Sequence, residues 1–442
     1  MLTLYNLKEV INIDIKGWDF ITVIDINTVN EELAKNSDLL ITDFKYEKDG
    51  LSIIGKIDQW KIVTGGSDKI IRFECEFSSC TVSITNKAGE TTTYSADGII
   101  PVLEMQLSFL NDSNANTKLK LNLKVVGSCV GDTTDGAVTI VSPDITGKVT
   151  TTDTPELWGL LNTNLPNGFI ENKDQLQYVF ASISKSIDPS VSWMMPVKYT
   201  YAYKERSDNN GGYLAIFCMT SDKNIPETGL DSSLLDDDHS IFYFISSELF
   251  MKNIILPAIT NSFKGTCASD YNCDANGKIT LCDGKTINCD AVTYGLIDYY
   301  PVLNTLTAVL ENDHIKMDTS GKFDVTGLLN AYVDISASSK LESTFNQDTQ
   351  EFCITTVSHS SDYDKHVPWY DYVFAAVAGL VIAAIVDVII ALVTDGISDS
   401  VKASIETQGN FISGIPDVIL WLDKNDHKVQ VADLAQVLYL KI

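Results

Sequence analysis

The chain has 442 residues, 45% of them apolar, and a formal net charge of −27 from 32 Lys and Arg against 59 Asp and Glu. That apolar content is enough to offset the ordering entropy of a fold, which excludes disorder; 26 Gly, 11 Pro and 9 Cys exclude collagen-like and disulfide-scaffold classes. The acid excess repels phosphate, and no run of Lys or Arg compensates it, so nucleic acid is excluded as a general partner. The opening residues lack a basic segment, an apolar segment and a small-residue cleavage site, so the expectation is synthesis in a cytoplasm without a signal peptide. Nine cysteines cannot all pair with one another, and reduced, mostly buried thiols are expected.

Residues 1–165 read mainly as strands. Ile71, Phe73, Cys75 and Phe77 alternate with Arg72, Glu74 and Glu76, and Leu119, Leu121, Leu123 and Val125 alternate with polar residues. A period of two with one apolar face predicts half-buried antiparallel sheet. Asp49-Gly50 tolerates positive φ at both positions and predicts a hairpin turn. One early helix is predicted over 29–35, capped by Asn27 or Thr28.

Residues 166–442 read as mixed α and β. Leu176, Val179, Phe180, Ile183 and Ile187 have the spacing of an amphipathic helix opening near Asn172. A second helix is predicted after Ser246 or Ser247, with Glu248 in its first turn and Pro257 ending or bending it. Strands precede it near 201–205 and 212–220, strand patterns resume over 292–356, and three more follow Pro416. The polar stretches 207–212 and 222–240 are the linker candidates, and no repeat of 20–50 residues is visible. The expected class is α+β, with helices on one face of a strongly curved antiparallel sheet. The expected organisation is one elongated unit over 1–442, with a mainly β lobe and a mixed lobe.

Four local patterns resemble chemical motifs, and each has a plainer reading. Residues 50–56 spell most of a phosphate-binding loop, but Ile57 stands where a hydroxyl is needed and strand pattern follows. Gly127-Ser128-Cys129-Val130-Gly131 has the shape of a nucleophile elbow without the helix that must follow one. Cys267, Cys273, Cys282 and Cys289 lack the two-residue spacing of zinc knuckles. The same stretch offers Asn272, Asp274, Asn276, Gly277, Lys278, Ile279 and Asp283 at positions of a calcium loop, against surface hairpins with or without disulfides. Asp236-Asp237-Asp238-His239 reads as a solvated acidic turn rather than a metal site. The sequence therefore assigns no catalytic residue, no metal ligand and no cofactor, and the protein is expected not to be an enzyme.

The run 373–393 carries one charge, Asp387, and is long and apolar enough to span a bilayer. Its flanks carry Asp362, Asp364, Asp371, Asp395 and Asp399 with little positive charge, so no orientation signal accompanies it. A helix buried under the sheet, with Asp387 near a groove mouth or a donor, is the expectation; transient membrane insertion is the alternative.

Several segments in order resemble one family. Gly17-Trp18-Asp19-Phe20, residues 165–183, 191–205, 212–222 and 244–259 are similar to accessory proteins of clostridial OrfX-type neurotoxin gene clusters. The resemblance implies a tubular lipid-binding (TULIP) fold, in which a long curved antiparallel sheet wraps long helices around an apolar groove. It further implies a non-enzymatic companion of a protein toxin, synthesised in the bacterial cytoplasm and released with the toxin complex. Lipid, the toxin and other cluster proteins would be its partners. No site residue is carried over.

Overall fold

The computed structural model describes residues 13–111, 116–185, 187–207, 211–230, 235–294, 296–325, 330–366, 386–388, 391, 399, 403, 411–424 and 427–442. Three antiparallel sheets dominate it. The first has six strands in the order Lys198–Glu205, Gly212–Met219, Phe20–Asp25, Ile241–Ser246, Val437–Lys441 and Val431–Leu434. The second has ten, and its main path runs Asp43–Lys48, Leu51–Ser67, Ile70–Thr85, Val102–Asn111, Thr117–Asn122, Ala181–Ile183 and Ile419–Trp421. The third has seven and is built chiefly from Val302–Glu311, His314–Asp324, Tyr332–Asn346 and Glu351–His366. Val125–Val126 and the start of Ala137–Ser142 form the parallel pair among these strands.

The alternation in the sequence is the alternation of the second sheet. Ile71, Phe73, Cys75 and Phe77 are all fully buried, while Arg72, Glu74 and Glu76 face outward. Asp49 and Gly50 adopt φ of 49° and 82° between Lys48 and its partner Leu51, as the hairpin requires. Leu119 and Leu121 face the core as expected, but the ladder stops at Asn122 and Val125 is exposed.

Helix α1 (Ile26–Lys35) starts earlier than the spacing suggested, because Asp25 is its cap: the carboxylate accepts from the Asn27 N–H at 2.7 Å. Helix α2 (Pro155–Glu171) was not expected. Leu157, Leu161, Leu165 and Phe169 form its buried stripe, and Pro155 sits in the first turn, where its missing N–H costs nothing. Gly168 lets the Phe44 ring lie against the helix; a Cβ there would come within 2.2 Å of that ring.

The helix expected over 176–187 is absent, and that expectation is corrected. Asn172 caps the end of α2, and residues 181–183 are a strand. The Phe180 N–H donates to Leu119 O and Leu422 N–H donates to Phe180 O, so long-range pairing takes the groups a helix would use. The helix after Ser246 is present, with the Ser246 hydroxyl accepting from Leu249 N–H. It runs as α3 (Ser247–Phe250), a π-turn (Met251–Ile255) and α4 (Leu256–Ser262), so Pro257 interrupts the ladder without ending the helix.

One buried cluster draws on all three sheets. Trp421 Nε1 donates to Thr22 Oγ1 at 2.8 Å and Tyr243 OH donates to Ile419 O at 3.0 Å, which ties the first sheet to the second. The run 373–393 lies outside the described residues except 386–388 and 391, which are helical. Val386 is buried, while Asp387 and Val388 are exposed. Among the described residues no helix is long and apolar enough to cross a membrane.

Asp144 supplies an acid-sensitive tie under the second sheet. Burial pushes its carboxyl up, but backbone N–H groups of Thr146, Val149 and Ile100 outweigh this and hold it below the usual range. A depressed folded value means stability that is present at neutral pH and lost as pH falls below about 4. Asp144→Asn should therefore be less stable than the parent at about pH 7, with the gap narrowing toward about pH 3 in urea unfolding. A gap of the same size at both pH values would contradict this role.

Candidate functional site

The first sheet is buried on both faces. Its inner face (Phe20, Ile24, Leu214, Ile216, Tyr243, Ile245) joins the main core. Its outer face (Ile21, Val23, Ala215, Phe217, Phe242, Phe244) forms a second, smaller apolar layer. Among the described residues, chain without regular secondary structure packs against that layer. From the N-terminal side come Ile13, Ile15 and Trp18, whose ring lies 5.4 Å from that of Phe217. From the loop following Gly212–Met219 comes Leu230.

Scattered hydrogen bonds and ion pairs hold this cover. Trp18 Nε1 donates to Glu227 O at 3.1 Å, Thr228 Oγ1 to Asp68 Oδ1 at 3.1 Å and Lys204 Nζ to Leu230 O at 3.3 Å. Lys198 Nζ donates to Lys223 O at 2.8 Å, and Lys223 pairs with Glu248 at 2.7 Å. Each such bond contributes about 0.5–1.5 kcal/mol, much less than a ladder of backbone bonds.

Two clefts open on this layer. One, of about 410 Å³, has Ala202, Ala215, Phe217 and Leu230 as its apolar wall, with Asp68, Lys204, Glu205 and Thr228 at the rim. The other, of about 560 Å³, is walled by Ile15, Trp18, Leu310 and Val437, with Asp14, Asp19 and Glu248 at the rim. The small side chains of Ala202 and Ala215, among Tyr213, Phe217 and Phe244, leave the first hollow. An apolar wall under a polar rim suits an apolar group that keeps a polar end in water. A third cleft of about 520 Å³ lies beside α1, with Asn27, Asn30, Glu31, Glu74 and Glu76 as well as Ala34, Trp60 and Ile100 along it.

The motif residues are dispersed and serve local structure. Residues 50–56 are hairpin turn and strand, with no helix to aim N–H groups at phosphate. Cys129 is exposed in a turn, where the Asp132 carboxylate accepts from Ser128 and Thr134 N–H groups and is held well below its usual range. The calcium-loop pattern folds as the hairpin Tyr271–Cys273 and Ile279–Leu281, and its flanks are not the helices of such a loop. Asp274 Oδ1 accepts from the Asn276 and Lys278 N–H groups, both at 2.9 Å. Cys267, Cys273, Cys282 and Cys289 are free in this structure, as are the other five cysteines.

Asp236 to His239 belong to an ion-pair network. Asp236 pairs with Lys441 at 2.6 Å and with His239 Nδ1 at 2.7 Å, and Asp237 pairs with Arg206. Among the described residues no group of three or more His, Cys, Asp or Glu is placed to hold a metal ion.

The comparisons with known proteins follow the whole chain. The family described as OrfX-like, Protein OrfX2/OrfX3/P47, matches residues 15–435. The chain belongs to that family. It is 26% identical over 380 residues to protein P47 of Clostridium botulinum (strain Kyoto / Type A2), covering 83% of this chain and 86% of that protein. It is 22% identical to OrfX3 of Paraclostridium bifermentans over 70% of this chain and 68% of the relative. Among solved structures, P47 of C. botulinum E1 superposes with a TM-score of 0.78 at 23% identity, covering 97% of this chain and 99% of that one. P47 of C. botulinum A2 gives 0.77 at 23% identity, covering 97% and 98%. The mainly antiparallel α+β architecture is thus the family's fold.

The apolar layer itself was not anticipated. Its signal lies in the continuous apolar runs 214–219 and 241–245, which alternate too little for a sheet with one wet face.

Proposed function

We propose that the protein is a non-enzymatic accessory component of a bacterial protein-toxin gene cluster. It binds an apolar ligand, or an apolar segment of a partner protein, at the outer layer of the first sheet. The family match over residues 15–435 carries the reading, since it joins the chain to P47 and OrfX3 along nearly its full length. The loop-covered layer and its two clefts supply a place for binding. A tubular lipid-binding architecture belongs to the same proposal: the buried stripe of α2 against the second sheet supports it. Toxin and other cluster proteins are the proposed macromolecular partners, and release with the toxin complex follows from that association.

The test has two arms. Organic extraction of the purified protein followed by mass spectrometry reads a retained apolar ligand, and pull-down against each neighbouring cluster protein reads a partner. A stoichiometric lipid or one saturable partner is expected; neither, across neutral and acidic pH, would overturn the proposal.

A further inference from the structure

The two clefts on the outer layer of the first sheet meet at one aromatic contact. Trp18 walls the larger and Phe217 the smaller, and their rings are 5.4 Å apart. The Trp18 ring is thus the partition between them, held by that packing and by the hydrogen bond from Nε1 to Glu227 O at 3.1 Å. Strand register sets the clefts on a diagonal. Ala202, Ala215, Val23, Phe242 and Lys441 are successive partners across the sheet, and Ser246 pairs with Val437 at the other end of the last strand. From Ala202 in the smaller cleft to Val437 in the larger, the diagonal crosses four strand spacings and advances four residues, about 23 Å. Ile21, the partner of Phe217, lies near its middle. An extended acyl chain of about 18 carbons, advancing about 1.25 Å per bond, has nearly that length.

The rims differ in their cations. Beside the larger cleft, Lys223 pairs with Glu248 and Lys16 with Asp14, both at 2.7 Å. At the smaller one Lys204 is exposed, donates to Leu230 O at 3.3 Å and pairs with no carboxylate among the described residues. Its remaining N–H groups are available to a ligand oxygen. Asp68 and Glu205 keep their charges at the same rim, which disfavours a phosphate head and favours a single acyl carbonyl or carboxylate. We infer that the layer takes one long-chain acyl compound that spans both clefts, with its acyl oxygen on Lys204. The chain passes Phe217 and Ile21, turns the Trp18 ring aside and ends against Ile15 and Val437. Two hollows that each hold part of a ligand then act as one site, with Trp18 closing the passage when it is empty.

This inference rests on the proposed uptake of an apolar ligand by the layer. The test blocks one cleft at a time. The full chain, Ala202→Trp in the smaller cleft, Ala275→Trp at the larger and Lys204→Met are titrated calorimetrically with oleate and with mono-oleoylglycerol. Ala275 and Lys204 are exposed, so their variants should keep the parent's unfolding midpoint. The parent should bind one ligand per chain. Each tryptophan variant should lose roughly tenfold or more in affinity, rather than retain one of two sites. Lys204→Met should lose about tenfold. Tighter binding of oleate would identify the head as a free carboxylate, and tighter binding of mono-oleoylglycerol as an ester. Two ligands per chain in the parent, full affinity in Ala275→Trp, or unchanged binding by Lys204→Met would overturn the inference. If the parent still bound N-phenyl-1-naphthylamine in such a case, the apolar site would stand without the span; binding of neither probe would remove both.

Discussion

Phe169→Ala is expected to destabilise the protein by about 3–5 kcal/mol, read as a lower urea midpoint at unchanged slope. Phe169 is fully buried on α2, with its ring 5.1 Å from Phe44 and 5.6 Å from Trp60. Those two continue the contact: Phe44 meets Phe77 at 5.3 Å and Trp60 meets Phe73 at 5.9 Å. The side chain is thus the wedge by which the helix joins three strands of the second sheet. Alanine would leave a cavity that Gly168 and Phe44, already in close approach, cannot collapse into easily. Phe169→Leu should cost about half as much, because most of the volume remains. A loss below about 1 kcal/mol for Phe169→Ala would mean that α2 is not held by this contact.

Asp25→Ala carries the second large effect, about 2–4 kcal/mol. Asp25 is 5% exposed and does two jobs. One oxygen caps α1 through Asn27 N–H; the other accepts from Arg206 Nη2 at 2.5 Å. Arg206 also pairs with Asp237 and lies 4.9 Å from the centre of the Tyr213 ring. Burial alone would lower the guanidinium, but Asp25 and Asp237 outweigh it and push it up. Asn caps as well as Asp, so Asp25→Asn should remove only the ion pair and leave the cap. The alanine variant should then be less stable than the asparagine one by about 1 kcal/mol in parallel denaturation curves. Equal losses would assign the whole effect to the ion pair.

Sheets were the most legible part of the sequence, because a half-buried strand writes its two faces directly into alternation, as at 71–77. Helix α1 was legible in its apolar spacing but not in its start, since Asp25 belongs equally to the strand before it. Helix α2 carries a clear stripe at Leu157, Leu161, Leu165 and Phe169, but Gly159, Pro166 and Gly168 argue locally against a helix. Segment 176–187 shows the converse: helical spacing overruled by strand partners at Leu119 and Leu422, far away in sequence. The candidate site was hidden for the same reason. Ala202, Ala215, Phe217 and Leu230 come from separate parts of the chain, and two small residues within apolar runs carry no local mark of a hollow. The motif-like stretches are local structure instead, since Asp132, Asp274 and Asp236 use their carboxylates on nearby backbone and cations.

The central claim is that the outer layer of the first sheet takes up an apolar group. Ala202→Trp fills the smaller cleft from its own wall without touching the main core. Titration of the parent and this variant with the neutral fluorophore N-phenyl-1-naphthylamine reads occupancy of that hollow directly, with unfolding midpoints measured alongside. The account predicts saturable binding to the parent and a loss of roughly tenfold or more in the variant at similar stability. Equal binding by the two proteins, or none by the parent, would contradict it.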